Sequence, residues 1–130
     1  MRVMVDMSAT VLHHGHVRLL KRAKELGTVI VGLTGDAEVF KHKGYWPELP
    51  FAERKEVLEA LCFVDEVVET PWLITDELLY SHNIDALLHG TDNSNDIQKE
   101  KLILASRTEG ISISDMRIRS LKAMVGPKTS

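Results

Sequence analysis

The sequence predicts an α/β domain built on a parallel sheet, and three observations carry that expectation. Thr28-Val29-Ile30-Val31-Gly32-Leu33-Thr34 is a near-continuous β-branched run, the pattern of a strand buried on both faces. Helix-periodic stretches lie before it and after it, so the apolar period switches back and forth between strand and helix along the chain. The length of 130 residues is enough for one domain with a proper core and too short for two ordinary ones.

Taken in order, residues 2–7 read as a short, mostly apolar strand. Residues 15–26 read as a helix with Val17, Leu19, Leu20, Ala23 and Leu26 on one face, stopped by Gly27. The 28–34 strand completes a β-α-β unit, which crosses over right-handedly and places ligands beyond the carboxyl ends of its strands. Residues 35–50 hold Gly, Pro and Lys without clear periodicity and are expected to form a long loop carrying Lys41 and Lys43. Residues 51–61 read as a helix with Val57, Leu58 and Leu61 spaced for burial, and 64–68 as a strand. Cys62 is expected to be a small core residue. Thr75-Asp76 opens a short helix over 75–81, and 85–89 is a strand ending at Gly90. Residues 101–105 give a last strand, after which Ser112 or Ser114 caps a final helix containing Met116, Leu121 and Val125. The expected domain is 1–125, with 126–130 a disordered, frayed tail.

Composition narrows the function classes. Apolar residues make up 44% and charged residues 27%, as in soluble globular proteins, and no stretch approaches the roughly 20 apolar residues of a membrane span. Asp6 interrupts the N-terminal apolar residues before a signal-peptide core can form, so a cytoplasmic location is expected. A net charge of −3 disfavours polymeric nucleic acid as a partner. Lys41 and Lys43 in one segment, and Arg107, Arg117 and Arg119 in another, would suit a small polyanion; Lys122 reads as ordinary surface charge.

The most telling motif is His13-His14-Gly15-His16, set where a strand gives way to a helix. A helix starting there offers unpaired backbone N–H groups and the positive end of its dipole to an anion, most simply a phosphate. Gly15 lets that phosphate approach the backbone, and His13 and His16 can donate hydrogen bonds to oxygens that gain charge in a reaction. Metal binding is the weaker rival: His-x-x-His has no Cys nearby, and Asp6 is its only close carboxylate.

Further motifs extend this one. Lys43 lies in the following segment, Glu53-Arg54 opens a helix, Val64-Asp65-Glu66-Val67-Val68 follows, and Arg107-Thr108-Glu109-Gly110-Ile111-Ser112 comes after the last strand. With these pieces the chain resembles, over nearly its whole length, the cytidylyltransferase family of HxGH nucleotidyltransferases, its glycerol-3-phosphate branch most of all. The resemblance implies a Rossmann-like three-layer fold with a parallel five-stranded sheet. It implies a magnesium-dependent reaction of CTP with a phosphorylated alcohol (glycerol 3-phosphate, ethanolamine phosphate or choline phosphate) or a hydroxyalkylphosphonate, by direct attack on the α-phosphorus. It implies a homodimer as well. An ATP-using adenylyltransferase acting on a coenzyme precursor, and a CTP sensor without turnover, stand as alternatives.

In this family's terms His13 and His16 stabilise charge on the α-phosphate and leaving group, while Lys43 leans over the phosphates and Lys41 assists. Arg107 forks two phosphate oxygens, and Thr108, Ile111, Ser112 and Ser114 belong to the triphosphate-binding segment. Ser8, Gly15 and Gly90 line the nucleotide site. Arg54 matches a family arginine, with a structural ion pair to a neighbouring glutamate as the other reading. Asp92 matches a family Gly-Asp-Asp element, with a turn residue as the other reading. The resemblance implies few protein ligands for magnesium. Two departures stand out: Met7-Ser8-Ala9-Thr10 replaces the usual Gly-Thr/Ser-Phe-Asp, so Thr10 stands where the family has a carboxylate, and Asn93 replaces a tryptophan. The first bears on acceptor or metal handling and the second on the acceptor or ribose side of the pocket, rather than on the transfer step.

Overall fold

A computed structural model describes residues 1–90, 101–105 and 121–124. Five parallel strands form its sheet: β1 (Arg2–Met7), β2 (Thr28–Thr34), β3 (Glu66–Thr70), β4 (Ala86–Gly90) and β5 (Leu102–Ala105), in the order β3-β2-β1-β4-β5. The helices are α1 (His14–Leu26), α2 (Asp36–Lys43), α3 (Phe51–Glu59) and α4 (Asp76–Ser81), and residues 121–124 are also helical. This is the Rossmann-like parallel sheet the sequence implied.

The three layers follow from strand alternation. Val3, Val5, Val29, Val31 and Leu88 face one way and pack with Leu20 and Ala23 of α1 and Leu58 of α3. Met4, Ile30 and Leu87 face the other way and pack with Ile74, Leu79 and Ile84 around α4. Burial on both faces is why β1, β2 and β4 read as continuous apolar runs. Because β2 and β3 extend the sheet to one side of β1 and β4 and β5 to the other, the strand order reverses between β1 and β4. A crevice at the carboxyl ends of those two strands is where such sheets bind ligands.

The elements depart from the sequence expectations in instructive places. The 35–50 segment is not all loop: its first half is α2, with Val39 its one buried residue. A single buried position gives no apolar period to detect. Instead α2 is set by charge and backbone, with Asp36 and Glu38 in the first turn, Lys41, His42 and Lys43 in the last, and Gly44 capping in the left-handed region at φ 80°. Cys62 is exposed rather than in the core, since Leu61, Phe63 and Val64 take the inward positions around it. Val57 is likewise exposed, leaving Leu58 as the inward residue of α3. β3 starts at Glu66, not residue 64, because the Asp65 carboxylate is occupied with the Val29 N–H and Lys24 Nζ, both at 2.8 Å. Thr75 caps α4, its Oγ1 accepting the Leu78 N–H at 3.2 Å.

Leu20 is fully buried between α1 and the sheet. Leu20→Ala is expected to lower unfolding free energy by about 2–5 kcal/mol in a urea titration, the range for a cavity left by a deleted core leucine. A loss under about 1 kcal/mol would contradict the packing described here.

Candidate active site at the carboxyl edge of the sheet

At the end of β1 the chain passes through Ser8, Ala9 and Thr10 and enters α1 at the histidine motif. Ala9 sits at φ 45°, in the left-handed region that a non-glycine residue occupies at a cost, and both it and Thr10 are buried. The helix then begins one residue earlier than the glycine suggested. His13 is the N-cap, with extended backbone at φ −139° and ψ 176°.

Histidine is an unusual cap, and here two of them cap one another's turn. His13 Nδ1 accepts the Gly15 N–H at 3.0 Å, and the His13 N–H donates to His16 Nδ1 at 3.1 Å. This reciprocal arrangement satisfies backbone donors that a helix start otherwise leaves unpaired. The two rings lie with centroids 4.0 Å apart and planes tilted by 32°. His14 is exposed beside them.

Those bonds fix the chemistry of the pair. A nitrogen that accepts a hydrogen bond carries no proton, so each neutral ring holds its proton on Nε2. Burial, and then the charge of neighbouring His13, push the pKa of His16 from 6.5 down to about 4. His16 is therefore neutral at pH 7. It can donate a hydrogen bond through Nε2–H to a phosphate oxygen, and it is not an acid with a proton to release.

Arg54 supports the approach to this motif from beneath. Its side chain is 1% exposed, and its Nη1 donates to the carbonyls of Ser8 at 2.6 Å and Thr34 at 2.9 Å. Nε donates to the Leu49 carbonyl at 3.0 Å, and Nη2 pairs with Asp36 Oδ1 at 2.6 Å. The second Asp36 oxygen accepts the Phe51 N–H at 3.1 Å. The ion pair anticipated with a neighbouring glutamate is thus made with Asp36 instead. In this arrangement Arg54 holds the ends of β1 and β2 and the starts of α2 and α3 together. Its guanidinium is engaged by the protein rather than turned to a nucleotide.

A second pair bridges the seam where the strand order reverses. Asp6 on β1 and His89 on β4 meet with Oδ1 and Nδ1 2.5 Å apart, both side chains largely buried. Sequence reasoning noticed Asp6 and passed over His89. The 83 positions between them hide a contact that appears once β1 and β4 are known to be neighbours.

The parallel sheet also brings the segments after β2 and β3 to this edge. Lys43 ends α2, exposed, with Nζ 5.4 Å from the centroid of a Trp72 ring; Lys41 is exposed on the same helix. Ser8 is half-buried, and Gly90 closes β4 beside the seam. β5 ends at Ala105, two residues before Arg107 in the sequence. Asp92, Asn93, Arg107, Thr108, Ile111, Ser112, Ser114, Arg117 and Arg119, the expected final cap and the tail lie outside the described residues.

Comparison with known proteins gives a consistent picture. The model of the family described as cytidylyltransferase-like matches residues 10–125. An ethanolamine-phosphate cytidylyltransferase of Dictyostelium discoideum is 36% identical over 92% of this chain and 36% of its own length. The chain spans about a third of the first curated relatives it matches. An FAD synthase of Pyrococcus abyssi is 38% identical over 99% of this chain and 87% of its own, and a glycerol-3-phosphate cytidylyltransferase of Bacillus subtilis 34% over 82% and 86%. Among solved structures, a lipopolysaccharide core biosynthesis protein of Thermoplasma volcanium shares the fold, with TM-score 0.70 and 21% identity over 83% of this chain and 98% of that one.

Two outcomes follow. With its native pKa depressed, His16 takes up a proton more readily unfolded than folded. Its contribution to stability is whole above pH 6.5 and is lost as pH falls toward 4, on the order of 3 kcal/mol. Denaturation from pH 7 to 4 should show this loss in the parent and a shallower one in His16→Ala. An equal slope in both would contradict it. Arg54→Met leaves the half-buried Asp36 carboxylate without its cation and the Ser8, Thr34 and Leu49 carbonyls without their donor, and is expected to cost about 1–3 kcal/mol in the same assay.

Proposed function

We propose that this chain, which belongs to the cytidylyltransferase-like family, transfers CMP from CTP to a small phosphorylated alcohol, releasing pyrophosphate. Glycerol 3-phosphate, ethanolamine phosphate and choline phosphate are the acceptors to test first, with a hydroxyalkylphosphonate beside them. The observation that carries this reading is the reciprocal histidine cap at the reversal of strand order. Two Nε2–H donors at a helix start suit a phosphoryl group that accumulates negative charge.

In the proposed reaction an acceptor phosphate oxygen attacks the α-phosphorus while the bond to the β-phosphate breaks, so no covalent enzyme intermediate forms. The protein aligns two anions that repel one another and stabilises the charge that develops. His13 and His16 do so at the α-phosphate. Lys43 and Arg107 balance charge on the β- and γ-phosphates, with Thr108, Ile111, Ser112 and Ser114 in the segment that holds them. Ser8, Gly15, Gly90 and Asp92 line the nucleotide and acceptor. Arg54 acts through the Ser8 carbonyl as a positioning residue.

Among the described residues no group of three or more His, Cys, Asp or Glu is arranged to hold a metal ion. Magnesium in this proposal would be brought by the nucleotide and would offset the negative charge of its phosphates.

A second reading is favoured by one specific finding, the FAD synthase relative that matches almost end to end. In that reading this chain would use ATP and a phosphorylated coenzyme precursor such as FMN, with the same attack on an α-phosphorus. Pyrophosphate release measured with CTP or ATP against each acceptor separates the two. Release with CTP and a phosphorylated alcohol supports the first reading. Release only with ATP and FMN overturns it, and CTP binding without release from any pair identifies a sensor.

His16→Ala is expected to reduce turnover about 10²–10³-fold with an unchanged circular dichroism spectrum, the usual effect of removing one donor to a developing oxyanion. A fully active variant would remove His16 from the mechanism. The proposal includes a homodimer, for which light scattering at assay concentration should give twice the chain mass of 14.6 kDa; a monomer mass would contradict it.

A further inference from the structure

Three contacts tie α2 to a single residue of the segment after β3. Glu38 Oε1 accepts the Trp72 N–H at 2.9 Å. The His42 ring stacks on the indole with centroids 5.0 Å apart and 13° between planes, and Lys43 Nζ stands 5.4 Å from the centroid of a Trp72 ring. Glu38 and His42 are four residues apart and share a helix face, so both reach the same neighbour. Lys43 follows directly. Its side chain is exposed, and a solvated lysine has many rotamers open to it; attraction to the ring's negative face singles out this one.

We propose that Trp72 is a latch for Lys43: it parks the ammonium over its indole in the ligand-free protein, and a nucleoside triphosphate draws the lysine away. This rests on the reading that Lys43 meets the phosphates. A solvent-exposed ammonium over a half-buried ring is held weakly, while an ammonium bound to a phosphate makes a charge-assisted hydrogen bond, so the exchange runs toward the nucleotide. The ring and the triphosphate compete for one ammonium. Nucleotide affinity is then reduced by the factor that favours the latched state, about two- to five-fold for a contact of this kind. Trp72 acts on the reaction through Lys43 and is a positioning residue. Glu38 and His42 keep the indole within the lysine's reach.

The sequence holds two tryptophans, so Trp46→Phe leaves Trp72 as the only indole reporter. In that background, adding Lys43→Met should change the ligand-free Trp72 emission, because the cation leaves the ring. Unchanged emission would overturn the latch. CTP with magnesium and no acceptor should move the Trp46→Phe emission toward that of the Lys43→Met protein.

Calorimetric titration provides the second arm. Trp72→Leu should bind CTP about two- to five-fold more tightly than the parent, Trp72→Phe should fall between, and Trp72→Leu should have no effect once Lys43 is Met. Weaker binding by Trp72→Leu, or the same change in the Lys43→Met background, refutes the proposal; a damaged fold would give that result. Should the parent bind no CTP, the proposed function fails, while the ligand-free emission comparison still decides the latch.

Discussion

Gly15 and His13 each commit a backbone N–H to an imidazole Nδ1, and with those two bonds the start of α1 and the orientation of both rings are set together. The first turn of a helix has donors to satisfy, and serine or aspartate would satisfy them more simply. Using histidine gives each ring a second face to the work: Nδ1 is spent on the backbone and Nε2–H is left as a donor. The same bonds explain why His16 stays neutral. Protonation would put a hydrogen on the nitrogen that accepts the His13 N–H, inside a site where burial already opposes charge.

The remainder of the site serves to hold that turn still. Arg54 fastens the Ser8 carbonyl just before the motif and the Thr34 carbonyl at the end of β2, and Asp36 balances it at the start of α2. Asp6 and His89 close the seam between β1 and β4. Fixed donors cost no reorganisation when charge develops, which is the physical advantage that the proposed phosphate site would draw from rigid elements at the edge of a parallel sheet.

The parts legible in the sequence were those whose signal is local. β2 announced itself through consecutive Val, Ile and Leu buried on both faces, and α1 through apolar residues at helical spacing. His13 and His16 were legible as a motif because chemistry and spacing coincide within four residues. α2 was not, since one buried valine leaves no period and its ends are set by charge and by Gly44. Cys62 and Val57 were misread because an apolar run at the end of α3 turns only some of its members inward. The partners of Arg54 and His89 lie 18 and 83 positions away and follow from the strand order, which no local pattern contains. Trp72 carried no signal of its own: its importance comes from α2 packing beside it.

Relatives of this chain bear names that differ in both nucleotide and acceptor, ethanolamine-phosphate cytidylyltransferase at one extreme and FAD synthase at the other. The proposed device at the α-phosphorus, with the acceptor recognised elsewhere, would be compatible with that spread. The device itself is tested most directly by two-bond ¹H–¹⁵N correlation spectra of the imidazoles in the folded protein at pH 7. The account predicts that His13 and His16 both show a protonated Nε2 and a bare Nδ1. A proton on Nδ1 of either ring, or a doubly protonated His16, would contradict it.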